Sequence, residues 1–313
     1  MTLSRQGLLL VDKPAGPTSH DVVQAARRAL HERRIGHTGT LDPAATGLLL
    51  LCVGKATRLQ QYLLAWPKTY CGEIRLGFST ATYDAEGEPS AAPRPVPPLA
   101  AEILAELMVR FSGELQQLPP PYSAKKSAGR KFYELARAGE QVPLEPKRVT
   151  VHSIALERTA DDRLAFEVSC SSGTYVRSLA HDLGEALGCG GHLARLRRTR
   201  IGPWEVSRAV PAEVLAQRPH DMDPGAMVAL SERILPLPEV TLNPTALDHF
   251  CHGQEVVVRD AMEMPAAGGQ VVIRDRTGEL VGIGAALSVL PRARTLTVAP
   301  RMVFTALEAA VEP

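Results

Sequence analysis

Apolar and polar positions along this chain fall into two textures. Up to about residue 202, short apolar runs alternate with stretches of helical period; from about Leu235 only short period-two runs separated by turns remain. Gly7 to Val11 reads as a short strand. Val22, Val23, Ala26 and Leu30 then fall at helical spacing, which predicts a helix from His20 to His31 with Ser19 as its cap. Leu48 to Gly54 is a continuous apolar run, as in a buried strand. Thr69 to Gly77 places Tyr70, Gly72, Ile74 and Leu76 on one face and Cys71, Glu73 and Arg75 on the other, the alternation of a half-buried strand. Pro89 to Pro98 is rich in proline and alanine and predicts a surface excursion.

Further along, Ile103, Leu107 and Phe111 mark one face of a helix, and Lys131 to Arg137 predicts another, ended by Gly139. Leu164, Phe166, Val168 and Cys170 alternate as a strand, Ser171-Ser172-Gly173 turns it, and Thr174 is expected to cap a helix that buries Val176, Leu179, Ala180 and Leu183. Gly191 to Gly202 mixes apolar and basic residues as a strand or a short helix. The last texture, with runs at Glu255 to Arg259, Gln270 to Asp275, Gly278 to Gly284 and Thr295 to Val303 and with Gly282 inside a strand, suggests a small barrel. The expected organisation is an α+β domain over residues 1–234 and a smaller β domain over 235–313.

The stretch with the most chemistry is Gly36 to Gly47, which runs directly into the Leu48 strand. It packs a histidine, three threonines and one acid, Asp42, between glycines, more hydrogen-bonding groups than a surface turn needs. Pro43 disfavours helical dihedrals at Asp42. A phosphate-binding loop does not fit, because Gly54-Lys55 is followed by Ala56 and Leu49 stands where the first glycine belongs.

Composition narrows the classes. With 313 residues, 45% hydrophobic and 22% charged, the chain suits an ordinary globular protein with one large core and a smaller one. No apolar run approaches a membrane span and the N-terminus lacks a secretory pattern, so a cytoplasmic location is expected. Five cysteines without paired spacing argue against a disulfide framework, and the two Cys/His neighbourhoods at Cys189 and Cys251 do not make a zinc site. The net charge is only +1, yet the cations are bunched: Arg27, Arg28, Arg33 and Arg34; Lys125, Lys126, Arg130 and Lys131; Lys147 and Arg148; Arg195, Arg197, Arg198 and Arg200. Bunching of this kind suits a phosphate backbone.

Arg177 sits in the first turn of the helix after Thr174, where the helix dipole favours negative charge, so a carboxylate partner is expected to hold it there. We take that partner to be Asp42. A guanidinium beside a carboxylate keeps it anionic at neutral pH and orients it through two hydrogen bonds.

The ungapped run Gly-His-Thr-Gly-Thr-Leu-Asp-Pro-x-Ala-Thr-Gly resembles the signature of the TruB family of tRNA pseudouridine synthases, which isomerise a uridine in the T-arm of tRNA, at position 55. Lys68-Thr69-Tyr70 with Thr80, Thr82, Asp84 and Gly87, the Gly173-Thr174-Tyr175-x-Arg177 run, the Lys13-Pro14-x-Gly16 run and the Pro121-Tyr122-Ser123-Ala124 segment match family motifs in order. The resemblance implies an α+β catalytic domain with a mixed or antiparallel sheet flanked by helices, followed by a PUA-type RNA-binding domain. It implies Asp42 as the catalytic nucleophile or base, with His37, Tyr70, Tyr175, Arg177 and Leu196 at the substrate and Lys13, Lys125 and Lys126 toward the RNA. Lys13 is read as structural or phosphate-contacting. The expected partner is the tRNA T-arm stem-loop, bound by a monomer, with no cofactor, metal or membrane.

Two other classes compete. A non-catalytic RNA-binding or tRNA-folding module explains the basic clusters and leaves the Asp42–Arg177 pairing without purpose. A glycosidase-like hydrolase needs a second carboxylate, and none stands out in the motif stretches.

Overall fold

The computed structural model describes residues 6–121, 126–127, 130–131, 145–217 and 224–304. The chain divides into two compact units, one built from Leu9–Leu51 and Gln60–Ala226, the other from the segments before Leu9 and at Cys52–Leu59 together with Met227 onward.

The larger unit is organised on a mixed sheet. In chain order its strands are β1 (Gly7–Lys13), β2 (Ile35–His37), β3 (Thr46–Val53), β4 (Lys68–Leu76), β5 (Gly113–Gln117), β6 (Lys126–Ser127), β7 (Arg130–Lys131), β8 (Lys147–Ala160), β9 (Arg163–Cys170), β10 (Gly191–Ile201), β11 (Trp204–Glu205) and β12 (Val210–Pro211). The sheet runs β12-β1-β3-β10-β4-β9-β8-β5, with β6 and β7 forming a separate ladder. Helices α1 (Ser19–Leu30), α2 (Gln60–Leu64), α3 (Ala101–Arg110), α4 (Val176–Ala186) and α5 (Ala212–Gln217) complete it. Leu48 to Leu51 are fully buried, each leucine contributing about 1.5–3 kcal/mol by leaving water. That burial anchors the Gly36–Gly47 loop from behind.

Several expectations shift in detail. The cap of α1 is Thr18, not Ser19: Thr18 accepts from the Asp21 amide and the Asp21 carboxylate returns to the Thr18 amide, a reciprocal capping box. Ser19 lies buried inside the helix and has another task, described below. Helix α4 begins after Tyr175, which makes no side-chain cap, while the Thr174 hydroxyl donates back to the Ser171 carbonyl. The 191–202 stretch is strand from Gly191 to Ile201, with no helix, pairing antiparallel with β4 and parallel with β3. Lys131, expected to open a helix, pairs with Lys126 in the β6–β7 ladder. Tyr122 to Lys125 and Phe132 to Gly139 lie outside the described residues. Among the described residues no helix is long and apolar enough to cross a membrane.

The smaller unit carries β13 (Met227–Ala229) and a five-stranded, curled half-barrel sheet in the order β14 (Glu239–Thr241), β16 (Gln270–Arg274), β17 (Leu280–Leu290), β18 (Thr295–Val303), β15 (Val256–Val258), with α6 (Pro244–Cys251) laying Phe250 into its core. Gly282 is required there: a Cβ would meet the Met302 carbonyl oxygen at 2.2 Å and the Phe250 ring at 2.9 Å. The small barrel expected from the sequence is present as this curled half-barrel, with Gly282 inside a strand as expected.

Candidate active site

The Asp42 loop is pinned on both flanks by the stretch from Lys13 to Ser19. The Ser19 hydroxyl donates to the Leu41 carbonyl (3.0 Å) and accepts from the Leu41 amide (2.8 Å). On the other side the Pro43 carbonyl accepts from the Gly16 amide (2.9 Å) and from the Lys13 ammonium (3.0 Å). Lys13 is completely buried and also donates to the Pro14 and Pro17 carbonyls, both at 2.8 Å. Three acceptors use all three ammonium donors, so of its two expected roles the geometry supports loop anchoring and leaves no donor for a phosphate.

Arg177 is where the dipole argument placed it, at the start of α4 and against Asp42. Its Nε lies 3.1 Å from Asp42 Oδ2 and its Nη2 3.5 Å from Oδ1. Its Nη1 donates to Asp84 Oδ2 at 3.1 Å and to the Thr82 carbonyl at 3.3 Å. One guanidinium thus holds two carboxylates. They are not equivalent: the side chains of Arg177 and Asp84 are 11% and 16% exposed, whereas that of Asp42 is 43% exposed. Asp84 also accepts from the Thr82 hydroxyl and the Glu86 amide. Asp84 is the buried anchor and Asp42 the open end. A second acid, which did not stand out in the motif stretches, is present beside Arg177 as Asp84, although its acceptor positions are committed to these donors and do not form the paired, water-accommodating geometry of a glycosidase.

Asp42 opens onto a cavity of about 430 Å³, within the range of small-molecule sites, whose lining includes Thr38, Leu64, Lys68, Tyr70, Tyr175, Arg177, Leu196 and Arg198. Four of the expected substrate residues, Tyr70, Tyr175, Arg177 and Leu196, therefore share one cavity with Asp42. His37 is not among the lining residues. Its Nδ1 accepts from the Gly39 amide at 3.3 Å, and burial pulls its imidazole below the ordinary value, as suits a neutral ring that shapes the loop. Tyr70 is buried on β4 opposite Arg198, and desolvation raises its phenol. Tyr175 is fixed through its backbone: Gln117 accepts from its amide (2.7 Å) and donates to its carbonyl (3.0 Å). Gln117 was not expected from the sequence, since it lies 58 residues away in an unremarkable strand.

The arginines of β10 do not act alike. Arg197 makes a two-point pair with Asp12 (2.7 and 3.1 Å) and Arg200 pairs with Glu205. Arg198 is fully buried and turned to carbonyls of the Asp42 loop and of β3 behind it, which corrects its grouping with phosphate-reading cations. Lys125 lies outside the described residues, and of Lys126 only the strand position is described. Among the described residues no group of three or more His, Cys, Asp or Glu could hold a metal ion.

Lys68, 6% exposed, donates to the Leu64 (2.7 Å) and Trp66 (2.6 Å) carbonyls, and burial pulls its ammonium down to about 8. Between about pH 8 and the unfolded value near 10.5 the unfolded chain binds a proton that the folded chain does not, so stability rises with pH across that window. Unfolding free energy of the wild type relative to Lys68→Met is expected to increase from pH 8 to 10 by roughly 1–3 kcal/mol in chemical denaturation. A flat difference contradicts the buried, proton-losing lysine.

Residues 27–176 match the TruB family pseudouridylate synthase N-terminal domain, 177–241 the tRNA pseudouridylate synthase B C-terminal domain, and 238–292 the pseudouridine synthase II TruB C-terminal model. The chain is 43% identical over 282 residues to tRNA pseudouridine synthase B of Burkholderia mallei (strain NCTC 10247), covering 90% of this chain and 93% of that protein. It is 44% identical over 250 residues to the protein of the same name from Azoarcus sp. (strain BH72), covering 80% and 83%. Among solved structures it resembles a chain of an H/ACA RNP bound to a substrate RNA containing 2'-deoxyuridine (TM-score 0.74, 25% identity, 97% of this chain and 86% of that one). It also resembles a chain of the archaeal box H/ACA sRNP Nop10-Cbf5 complex (TM-score 0.72, 26% identity, 98% and 88%).

Proposed function

The chain belongs to the TruB family of pseudouridine synthases, and from that premise we propose that it is a tRNA pseudouridine synthase converting the T-arm uridine at position 55. The observation that carries this reading is the open Asp42 carboxylate, held by Arg177 at the mouth of a cavity walled by Tyr70, Tyr175 and Leu196. The reaction breaks the bond from ribose to the ring nitrogen, turns the uracil while it is held, and forms a carbon-carbon bond at ring carbon 5; the proton at that carbon is lost and the ring nitrogen gains one. Nothing is oxidised or reduced, so no redox cofactor is required, and the carboxylate is read as acting without a metal. Asp42 acts as nucleophile or base at the reacting nucleoside.

The target nucleotide must leave its stack, at a cost of a few kcal/mol. Stacking on Tyr70 offsets about 1–3 kcal/mol of that, and Leu196 with Tyr175 keeps the detached uracil from escaping. The chain works as a monomer in the cytoplasm, residues 1–234 carrying the chemistry and residues 235–313 forming a PUA-type domain that contributes RNA affinity.

A tRNA transcript incubated with the chain and mapped nucleotide by nucleotide tests the assignment: pseudouridine at one T-arm uridine is expected, and modification elsewhere in the molecule overturns the positional claim. Neutralising Lys125 and Lys126 together is expected to lower the slope of log K against log[salt] for tRNA binding by about 2. An unchanged slope removes both from phosphate contact.

A further inference from the structure

Arg198 is the largest of the fully buried side chains, 1% exposed, and no carboxylate pairs with it among the described residues. Sealing an unpaired cation from water is costly unless its donors are satisfied. Its donors go to the loop that carries Asp42 and to the strand that follows it. Nε donates to the Leu48 carbonyl (2.7 Å), Nη2 to the Gly39 carbonyl (3.1 Å) and Nη1 to the Thr40 carbonyl (3.4 Å). These carbonyls bracket Asp42 in the chain, two before it and one after.

The backbone of Arg198 is as constrained as its side chain. On β10 it pairs with Gly47 of β3 on one side and Tyr70 of β4 on the other. Gly47 has φ +100°, and a Cβ there would lie 2.2 Å from the Arg198 carbonyl oxygen, so only glycine allows this approach. Residues directly opposite on antiparallel strands project to the same face, which sets the guanidinium beside the Tyr70 hydroxyl. Gly39, Thr40, Tyr70 and Arg198 all line the cavity onto which Asp42 opens.

We propose that Arg198 is a positioning residue of the reaction, its buried guanidinium holding the Gly39–Thr40 turn and the Tyr70 wall in one register around the cavity. Its role differs from that of Arg177, which touches the reacting carboxylate; Arg198 touches the backbone that presents it. The planar fork is essential, because a lysine ammonium at the end of a flexible stem cannot satisfy three diverging carbonyls and stand against a phenol at once. The inference rests on the pseudouridine-synthase reading above.

The test compares the unsubstituted chain with Arg198→Lys and Arg198→Met in single-turnover pseudouridine formation at saturating enzyme, alongside tRNA binding and thermal unfolding. In each folded variant the rate constant is expected to fall at least about 30-fold while the tRNA dissociation constant changes by less than about threefold. Combination with Tyr70→Phe should cost less than the sum of the two single losses, as for groups that act together. If Arg198→Met does not fold, Arg198→Lys decides by the same criterion. A folded variant at the wild-type rate, or a rate loss matched by an equal loss of RNA affinity, overturns the proposal. Absence of pseudouridine with the unsubstituted chain overturns the functional reading and this inference with it.

Discussion

Asp42→Asn is expected to reduce pseudouridine formation by at least about 10⁴-fold, some 5.5 kcal/mol of barrier, while tRNA binding persists. Asparagine keeps the shape and hydrogen-bonding size of the side chain but not its charge, so the substitution removes the nucleophile or base and little else. The fold should survive: Arg177 remains compensated by the more deeply buried Asp84, and the flanking anchors from Ser19 and Lys13 act on backbone carbonyl and amide groups of Leu41 and Pro43 rather than on the carboxylate. Removing one anion from a site that meets a phosphate backbone leaves affinity equal or slightly higher. Single-turnover rates and filter binding on the same preparation check both halves. Loss of binding together with activity means that Asp42 is a structural turn residue.

Arg177→Met has the second largest expected effect, with a different cause. Deleting the guanidinium leaves Asp42 and Asp84 without their shared cation, and breaking a largely buried pair from one side costs about 3–5 kcal/mol. Part of that is screened, because Asp42 is 43% exposed. Turnover should fall by about 10²–10³-fold through misorientation of Asp42, and Tm should drop by several degrees. Arg177→Lys should recover only part of the rate, since one ammonium cannot reach both carboxylates in the geometry seen here. A loss below tenfold for Arg177→Met contradicts the view that this guanidinium sets the carboxylate's position.

How much of this was legible beforehand depended on whether the cause was local. The Leu48 run, the alternation around Tyr70 and the ungapped Gly36 to Gly47 loop carry their structure in adjacent residues, and the chain folds accordingly. The Asp42–Arg177 pairing spans 135 residues, yet it was legible because an arginine in a helix's first turn needs an external explanation. Asp84 stood in a matching family motif but without an assigned partner: it bridges Leu193 among other hydrogen-bonding residues, and only the fold brings it to Arg177. Arg198 was misread for a physical reason. Strand β10 shifts register between Leu193 and Arg195 and again between Arg198 and Arg200, so period-two alternation cannot tell which of its arginines points inward. At α1 and α4 the caps differ by one residue because Thr18 competes with Ser19, and Thr174 with Tyr175, on neighbouring positions of equal chemistry or none.

The most direct test of the central claim is a mass balance on the uracil of a tRNA incubated with the chain, in wild-type and Asp42→Asn forms. The wild type is expected to convert one uridine to pseudouridine in full with no free uracil, and the variant to bind the same tRNA and leave it unchanged. Release of free uracil, or pseudouridine formation by Asp42→Asn at a rate near that of the wild type, would contradict it.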